Sequence, residues 1–266
     1  MKSRERLGGI LALLGGVLGI VGTFLIFLNW YQAGMSAEAA EPGCEILLKY
    51  LMPGLGDVAL LAGVLYLVSG YLFFTGSKWA FRLVVIANVL ALQGSFFINV
   101  PFMAADLPPI YFTIFFPNLL LYFLLTRLVG RLCWRRILLG LVAGMAFVFC
   151  FMNGVASLSR IITIGAPLFS FVQRAHWFAM VGMGFLTVQT LLRPTEWSRI
   201  VGLGAAVMEL VVGIPLAFAT AVQLERFSLF SLAPIFSALL LVVLLWPSLW
   251  RRLSCFDEGR PDILGA

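Results

Sequence analysis

The sequence predicts an all-α integral membrane protein of eight transmembrane helices with its N- and C-termini on the cytoplasmic side. Three observations carry that expectation. Of 266 residues, 62% are hydrophobic and 11% charged, with a mean hydropathy of +1.03; soluble domains run at about 45–50% apolar and about 25% charged. Several stretches reach the about 20 apolar residues that a helix needs to cross a bilayer. The basic residues fall between those stretches in a strongly one-sided pattern. The same composition excludes disorder, which needs low hydrophobicity. A β-barrel is excluded because its strands alternate apolar and polar residues, whereas 119–125 and 239–245 are apolar throughout.

The predicted spans are 7–30, 53–76, 80–104, 109–130, 136–158, 166–192, 199–222 and 229–249. The first follows a basic Met1–Arg6 segment and precedes Ala37-Glu38-Ala39, a sequence resembling a signal-peptidase site. A cleaved signal has an apolar core of about 7–15 residues, and the run over 7–28 is longer, so it reads as a retained helix. The longest connection, 31–52, leaves no room for a soluble domain, and the whole of 1–266 reads as one transmembrane domain.

Orientation follows from Lys and Arg. With the N-terminus inside, the inner segments hold Lys2, Arg4, Arg6, Lys78, Arg82, Arg127, Arg131, Arg135, Arg136, Arg193, Arg199, Arg251, Arg252 and Arg260. The outer loops hold Lys49, Arg160 and Arg226 among Glu38, Glu41, Glu45, Asp106 and Glu225. An odd number of spans breaks this alternation. The net charge of +6 therefore reflects topology and not nucleic-acid binding, and Trp79, Trp134, Trp197 and Trp250 read as belt residues at the inner headgroups. The expected surroundings are a prokaryotic inner membrane, with lipid and partner membrane subunits as contacts. Cys133 and Cys255 face a reducing compartment in this topology, Cys44 is alone outside and Cys150 lies in a helix, so no disulfide is expected.

A four-plus-four parallel repeat is suggested, with halves 1–130 and 131–266. Trp79 and Trp197 open the third and seventh spans 118 residues apart, and Pro117 and Pro234 sit early in the fourth and eighth, 117 apart. Trp134 and Trp250 close those spans 116 apart, and Pro101 and Pro215 are 114 apart. Halves with even helix numbers share orientation and place a site between them.

Small residues mark the seams along which helices pack in lipid. The first span carries Gly8, Ala12, Gly15, Gly19 and Gly22 on one face, the second Gly56, Gly63 and Gly70, and the fifth Gly140 and Gly144. The seventh carries Gly202, Ala205, Glu209 and Gly213 at i, i+3, i+7 and i+11, so a carboxylate sits within a small-residue stripe. The third shows Asn88, Ala91, Ser95 and Asn99 at the same spacing.

An ionisable group at membrane depth costs roughly 2.5–3.5 kcal/mol on insertion scales, so each demands a reason. Glu209, Arg174, His176 and Asp57 are such groups, and Asn99, Asn153 and Gln93 are uncharged companions. They cluster toward the outer side, which predicts an outward-facing polar pocket lined by these seven residues. Each also has a structural role to weigh. Arg174 can snorkel to the outer headgroups, Asp57 can satisfy free N–H groups near a helix start, and Glu209 can pair with Arg174 or His176. In the hairpin of the sixth and seventh spans, Arg174 lies about 10 Å outward of Glu209, near the limit of a direct pair.

No catalytic motif is present: HExxH, Gly-x-Ser-x-Gly and P-loop patterns are absent. A single histidine provides neither a bis-histidine haem site nor a zinc ligand set, so no cofactor and no metal are expected. Three function classes remain: a transporter or small-molecule-binding membrane protein, which the polar residues favour, a non-catalytic subunit or scaffold of a larger complex that contacts quinone or lipid, and, least supplied with reactive side chains, a lipid- or quinone-modifying enzyme.

Overall fold

The computed structural model describes residues 3–39, 44–165, 168–224 and 229–255, which are helical with no strand among them. Lys2, Glu41, Glu225, Arg226 and Arg260 lie outside the described residues, as do the side chains of Cys44 and Arg160. The helices are α1 (Ser3–Glu38), α2 (Cys44–Phe74), α3 (Ala80–Ala104), α4 (Phe112–Val129), α5 (Trp134–Ile164), α6 (Leu168–Leu192), α7 (Glu196–Leu224), α8 (Leu229–Leu245) and α9 (Pro247–Ser254). Seven of them are long and apolar enough to cross a membrane; α8 and α9 add an eighth if that pair, bent by 104°, counts as one span.

The bend corrects the expectation of a continuous helix over 229–249. A residue preceding proline is driven out of the helical region, and Trp246 takes φ −99° and ψ 104° before Pro247 opens α9. The long outer connection is corrected too. α1 runs on to Glu38 and α2 starts at Cys44, so most of the predicted loop over 31–52 is helix. At 36 residues, α1 is about 54 Å long and exceeds the about 30 Å hydrocarbon core.

The described residues divide into two compact units, those up to Leu132 and those from Cys133 on. In the first, α1 packs on α2, α2 on α3, α3 on α4, and α4 returns to α1. The α1–α2 seam is the one that glycine spacing predicts. A Cβ on Gly19 would lie 2.9 Å from the Gly63 Cα, and one on Gly63 would lie 2.7 Å from Ile20 Cγ1. Backbone contact this close gains dispersion energy that lipid cannot replace. Asn88 Nδ2 donates to the Tyr66 hydroxyl at 2.6 Å and to the Asn118 carbonyl at 2.9 Å, joining α2, α3 and α4 through buried polar atoms.

In the second unit, α5 packs on α6, α6 on α7, α7 on α8, and α8 on α5. α5 ends at Gly165, whose φ of 62° is the left-handed geometry that glycine supplies at a helix stop. α9 packs against α5 and buries Trp250, which is 1% exposed and so is not a belt residue; Trp79, Trp134 and Trp197 are more than half exposed. α9 also brings Cys255 to Cys133, with their Cα atoms 6.9 Å apart, and the two form a disulfide. That overturns the expectation of free thiols, which rested on compartment alone: Cys133 immediately precedes α5 and Cys255 immediately follows the helix packed against it.

The arginines near the predicted inner ends do more than mark topology. Arg4 donates to the Val129 carbonyl at the end of α4, and Arg199 to the Leu244 carbonyl near the end of α8. Arg136 donates to the Thr190 and Leu191 carbonyls of α6 at 2.6 and 3.2 Å. The last carbonyls of a helix have no partner within it and carry its negative pole, so guanidinium is suited to them by hydrogen bonding and by charge. The outward faces are apolar: Leu14, Leu25 and Leu28 on α1, Phe171, Phe178 and Val181 on α6, and Val211, Ile214 and Phe218 on α7 are exposed. An exterior of this kind suits lipid and not water.

The α1–α2 seam has a direct test. Gly63→Ala should destabilise the protein by about 1–3 kcal/mol through overpacking, measured by unfolding in mixed micelles. Gly54→Ala, whose Cβ meets nothing within 4 Å, should be neutral or slightly stabilising. Equal stability of the two variants would contradict the close-packed seam.

Candidate functional site

The second unit buries the polar groups that the sequence singles out most strongly. Glu209 on α7 and His176 on α6 are both 0% exposed, and His176 Nδ1 lies 2.7 Å from Glu209 Oε2. Asn153 on α5 is also fully buried and donates from Nδ2 to Glu209 Oε1 at 3.1 Å and to the Phe230 carbonyl at 3.2 Å. Both carboxylate oxygens are therefore engaged, by side chains from two neighbouring helices. The Cys150 thiol, one turn before Asn153 on α5, interacts with Glu209 and with Ser237 of α8. Side chains from α5 and α6 thus meet the α7 carboxylate, and α8 contacts the two α5 residues that do so.

Local sequence explains how the pair forms. An antiparallel α6–α7 hairpin turning near Thr195 puts Glu209 level with Val181, several residues inward of His176. The carboxylate closes that distance by lying along its own helix toward the next turn, where Gly213 leaves room. A Cβ on Gly213 would sit 2.5 Å from Glu209 Oε1. Gly213 is level with about residue 177, so the carboxylate reaches the depth of His176. Close approach of α6 and α7 is secured by Gly182, whose added Cβ would lie 2.7 Å from the Ala205 Cβ, and by Gly202 beneath Leu186. The Trp177 indole covers Gly154, next to Asn153: a Cβ there would meet Trp177 Nε1 at 2.5 Å.

The pair has a defined chemistry. A proton between Nδ1 and Oε2 satisfies both atoms whether the imidazole N–H or the carboxyl O–H donates. Among the described residues, the other ring nitrogen, His176 Nε2, has no hydrogen-bond partner, nor has Asn153 Oδ1. Five buried helical hydroxyls are satisfied locally: Ser69, Ser95, Thr126, Ser157 and Thr187 each donate to the carbonyl four residues back, whereas those of Thr23 and Thr190 have no partner among the described residues. The cluster therefore holds unspent polar capacity around an exchangeable proton, at a cost in a low-dielectric interior.

Of the seven residues expected to share one pocket, Glu209, His176 and Asn153 meet. Arg174 does not join them. Two residues from His176 is about 200° around a helix, and Arg174 is exposed on the face that carries Phe171 and Phe178, so of the two partners open to Glu209, Arg174 and His176, it is His176 that meets it. Gln93, Asn99 and Asp57 belong to the first unit. Asn99 ties the end of α3 to the start of α4: its Nδ2 donates to the Ser95 and Phe96 carbonyls, and its Oδ1 accepts from the Phe112 N–H at 3.2 Å. Gln93 is 4% exposed, and neither of its amide atoms has a partner. Asp57 is exposed at a cleft between α1 and α2.

Sequence inspection missed Cys150 and Ser237. The available signal was periodicity, since Cys150, Asn153 and Ser157 lie at i, i+3 and i+7 on one face of α5. Among the described residues, no group of three or more His, Cys, Asp or Glu side chains could hold a metal ion.

Gly213→Ala should push the carboxylate off His176 and lower stability by about 1–3 kcal/mol, read from tryptophan-fluorescence unfolding in detergent. Gly204→Ala, with open space at its Cβ, is the control that should not. Unchanged stability in Gly213→Ala would contradict the described path of the Glu209 side chain. No family model matches the chain, and neither a curated protein nor a solved structure shows significant similarity to it.

Proposed function

We propose that the chain is an eight-span inner-membrane transporter or binding protein for a small polar solute, in which the His176–Glu209 pair links proton movement to solute binding from the outer face. In this reading both termini are cytoplasmic, as the Lys and Arg distribution supports, and the two units are related as parallel four-helix repeats. The observation that carries the proposal is the buried pair itself. An ionisable pair removed from water is often less stabilising than apolar packing of the same volume, so its presence at membrane depth calls for a functional reason. Glu209 lies 13 residues into α7, about 20 Å from its start and near the middle of the helix.

The groups around the pair are Cys150 and Asn153 from α5 and, in contact with these two, Ser237 and the Phe230 carbonyl from α8. None is a fixed charge, so gain or loss of one proton changes the net charge of the cluster outright. α7 also has a natural point of movement beside it. Pro215 lacks an N–H, which frees the Val211 carbonyl from the helix ladder just beyond Gly213. Full burial of the pair corresponds to a closed site, and solute access then requires α7 to move at this break.

A second reading has its own observation. Both Glu209 oxygens are satisfied by neighbouring helices and the carboxylate has no solvent exposure, which is what a static clasp needs in a scaffold or subunit of a larger membrane complex. Glu209→Gln separates the two readings, because the amide keeps the shape and one acceptor oxygen while removing the titrating group. In liposomes containing a pH-sensitive dye, a panel of amino acids, sugars, nucleosides and organic acids should include at least one that drives proton movement by the native protein. Glu209→Gln should fold with near-native stability and abolish that movement. If no solute moves protons and Glu209→Gln loses roughly 3–5 kcal/mol of stability, the clasp reading holds instead.

A further inference from the structure

The first unit has a cleft of about 170 Å³ between α1 and α2, walled by Thr23, Phe24, Phe27, Pro53, Gly56 and Asp57. Drug-sized ligand sites run at about 300–1,000 Å³, so this one suits a small group. Its depth is interfacial: Asp57 is 17 residues from Phe74, about 25 Å along α2, close to the far edge of a hydrocarbon core of about 30 Å. Three features on its wall point to one chemistry. Asp57 is exposed and has no ion-pair partner among the described residues. Thr23 is 3% exposed, and its hydroxyl, unlike those of Ser69, Ser95 and Thr126, does not bond back to its own helix and has no partner at all. Phe24 and Phe27 add aromatic rings, whose faces attract cations.

The Thr23 orphan has a local cause. Residues Leu18–Gly22, immediately before it, form a π-helical turn, which breaks the regular i−4 carbonyl spacing that the other hydroxyls use. Gly56 keeps the cleft open, for a Cβ there would lie 4.0 Å from Thr23 Cγ2 with nothing nearer.

We propose that the α1–α2 cleft binds a primary alkylammonium group, with the Asp57 carboxylate as its charge partner, the Thr23 hydroxyl as a second acceptor and Phe24 and Phe27 flanking it. Such a group belongs either to an ethanolamine lipid, whose acyl chains would lie along the exposed apolar faces of α1 and α2, or to a free amine. Phosphatidylglycerol offers hydroxyl donors but no cation to pair with the Asp57 carboxylate, and its net negative charge is repelled by it.

The test uses the full chain. Native mass spectrometry of protein released from nanodiscs of equimolar phosphatidylethanolamine and phosphatidylglycerol should show retention of phosphatidylethanolamine. Asp57→Asn should reduce that preference by about tenfold or more, and Thr23→Val by about two- to tenfold. Gly56→Leu, which fills the cleft from a position with room for its Cβ, should abolish it. In a parallel arm, saturation-transfer NMR with n-butylamine is run in phosphatidylglycerol nanodiscs. A lipid occupant gives selective retention with no n-butylamine signal. A free-amine occupant gives a signal that Asp57→Asn removes, with no lipid selectivity. Lipid retention and n-butylamine signal both unaffected by Asp57→Asn and Gly56→Leu would overturn the proposal.

Discussion

The second unit is organised around the 2.7 Å contact between His176 and Glu209. In a bundle whose exterior is apolar, a polar side chain has no solvent to fall back on and must find its partner within the bundle. Glu209 finds His176 on α6, Asn153 on α5 and Cys150 beside it, and this demand fixes much else. α6 and α7 must approach closely, hence Gly182 and Gly202 at their contact. The carboxylate must extend one turn, hence Gly213. A residue whose reach is too short to meet its partner acquires that reach through the absence of a Cβ four positions on.

Backbone groups meet the same demand by other means. The carbonyls at the ends of α4, α6 and α8 receive Arg4, Arg136 and Arg199. The residue type whose distribution the topology reading rests on thus also closes helix ends through its hydrogen bonds. Asn99 does comparable work between α3 and α4 with an amide. In the Glu209 cluster, His176 Nε2 and Asn153 Oδ1 have no partner among the described residues.

Much of this was legible in the sequence. Apolar run lengths located the long helices, and glycine spacing located the α1–α2 seam, because both depend on helical periodicity alone. The small-residue face holding Glu209 pointed to burial against a neighbour, as found. What escaped depends on distances between segments. The choice of His176 over Arg174 turns on a 200° rotation and on the reach that Gly213 confers, which hairpin arithmetic at the Cα level does not contain. The Cys133–Cys255 disulfide joins residues separated by 122 positions and follows from the fold of α9 back onto α5. The break at Trp246 was readable from Pro247, but an uninterrupted apolar run concealed it.

A proton held between an imidazole and a carboxylate links the buried cluster to the function proposed for it. The chain offers an uncommonly clean probe of that bond, because it has one histidine. Nitrogen-15 labelling of histidine in the full-length protein should therefore give the signals of His176 alone. The bond to Glu209 predicts a hydrogen-bonded Nδ1, with ring-nitrogen shifts that move markedly in Glu209→Gln while the protein stays folded. Identical imidazole spectra in the native protein and in Glu209→Gln would show that the two side chains do not meet, and would contradict the account.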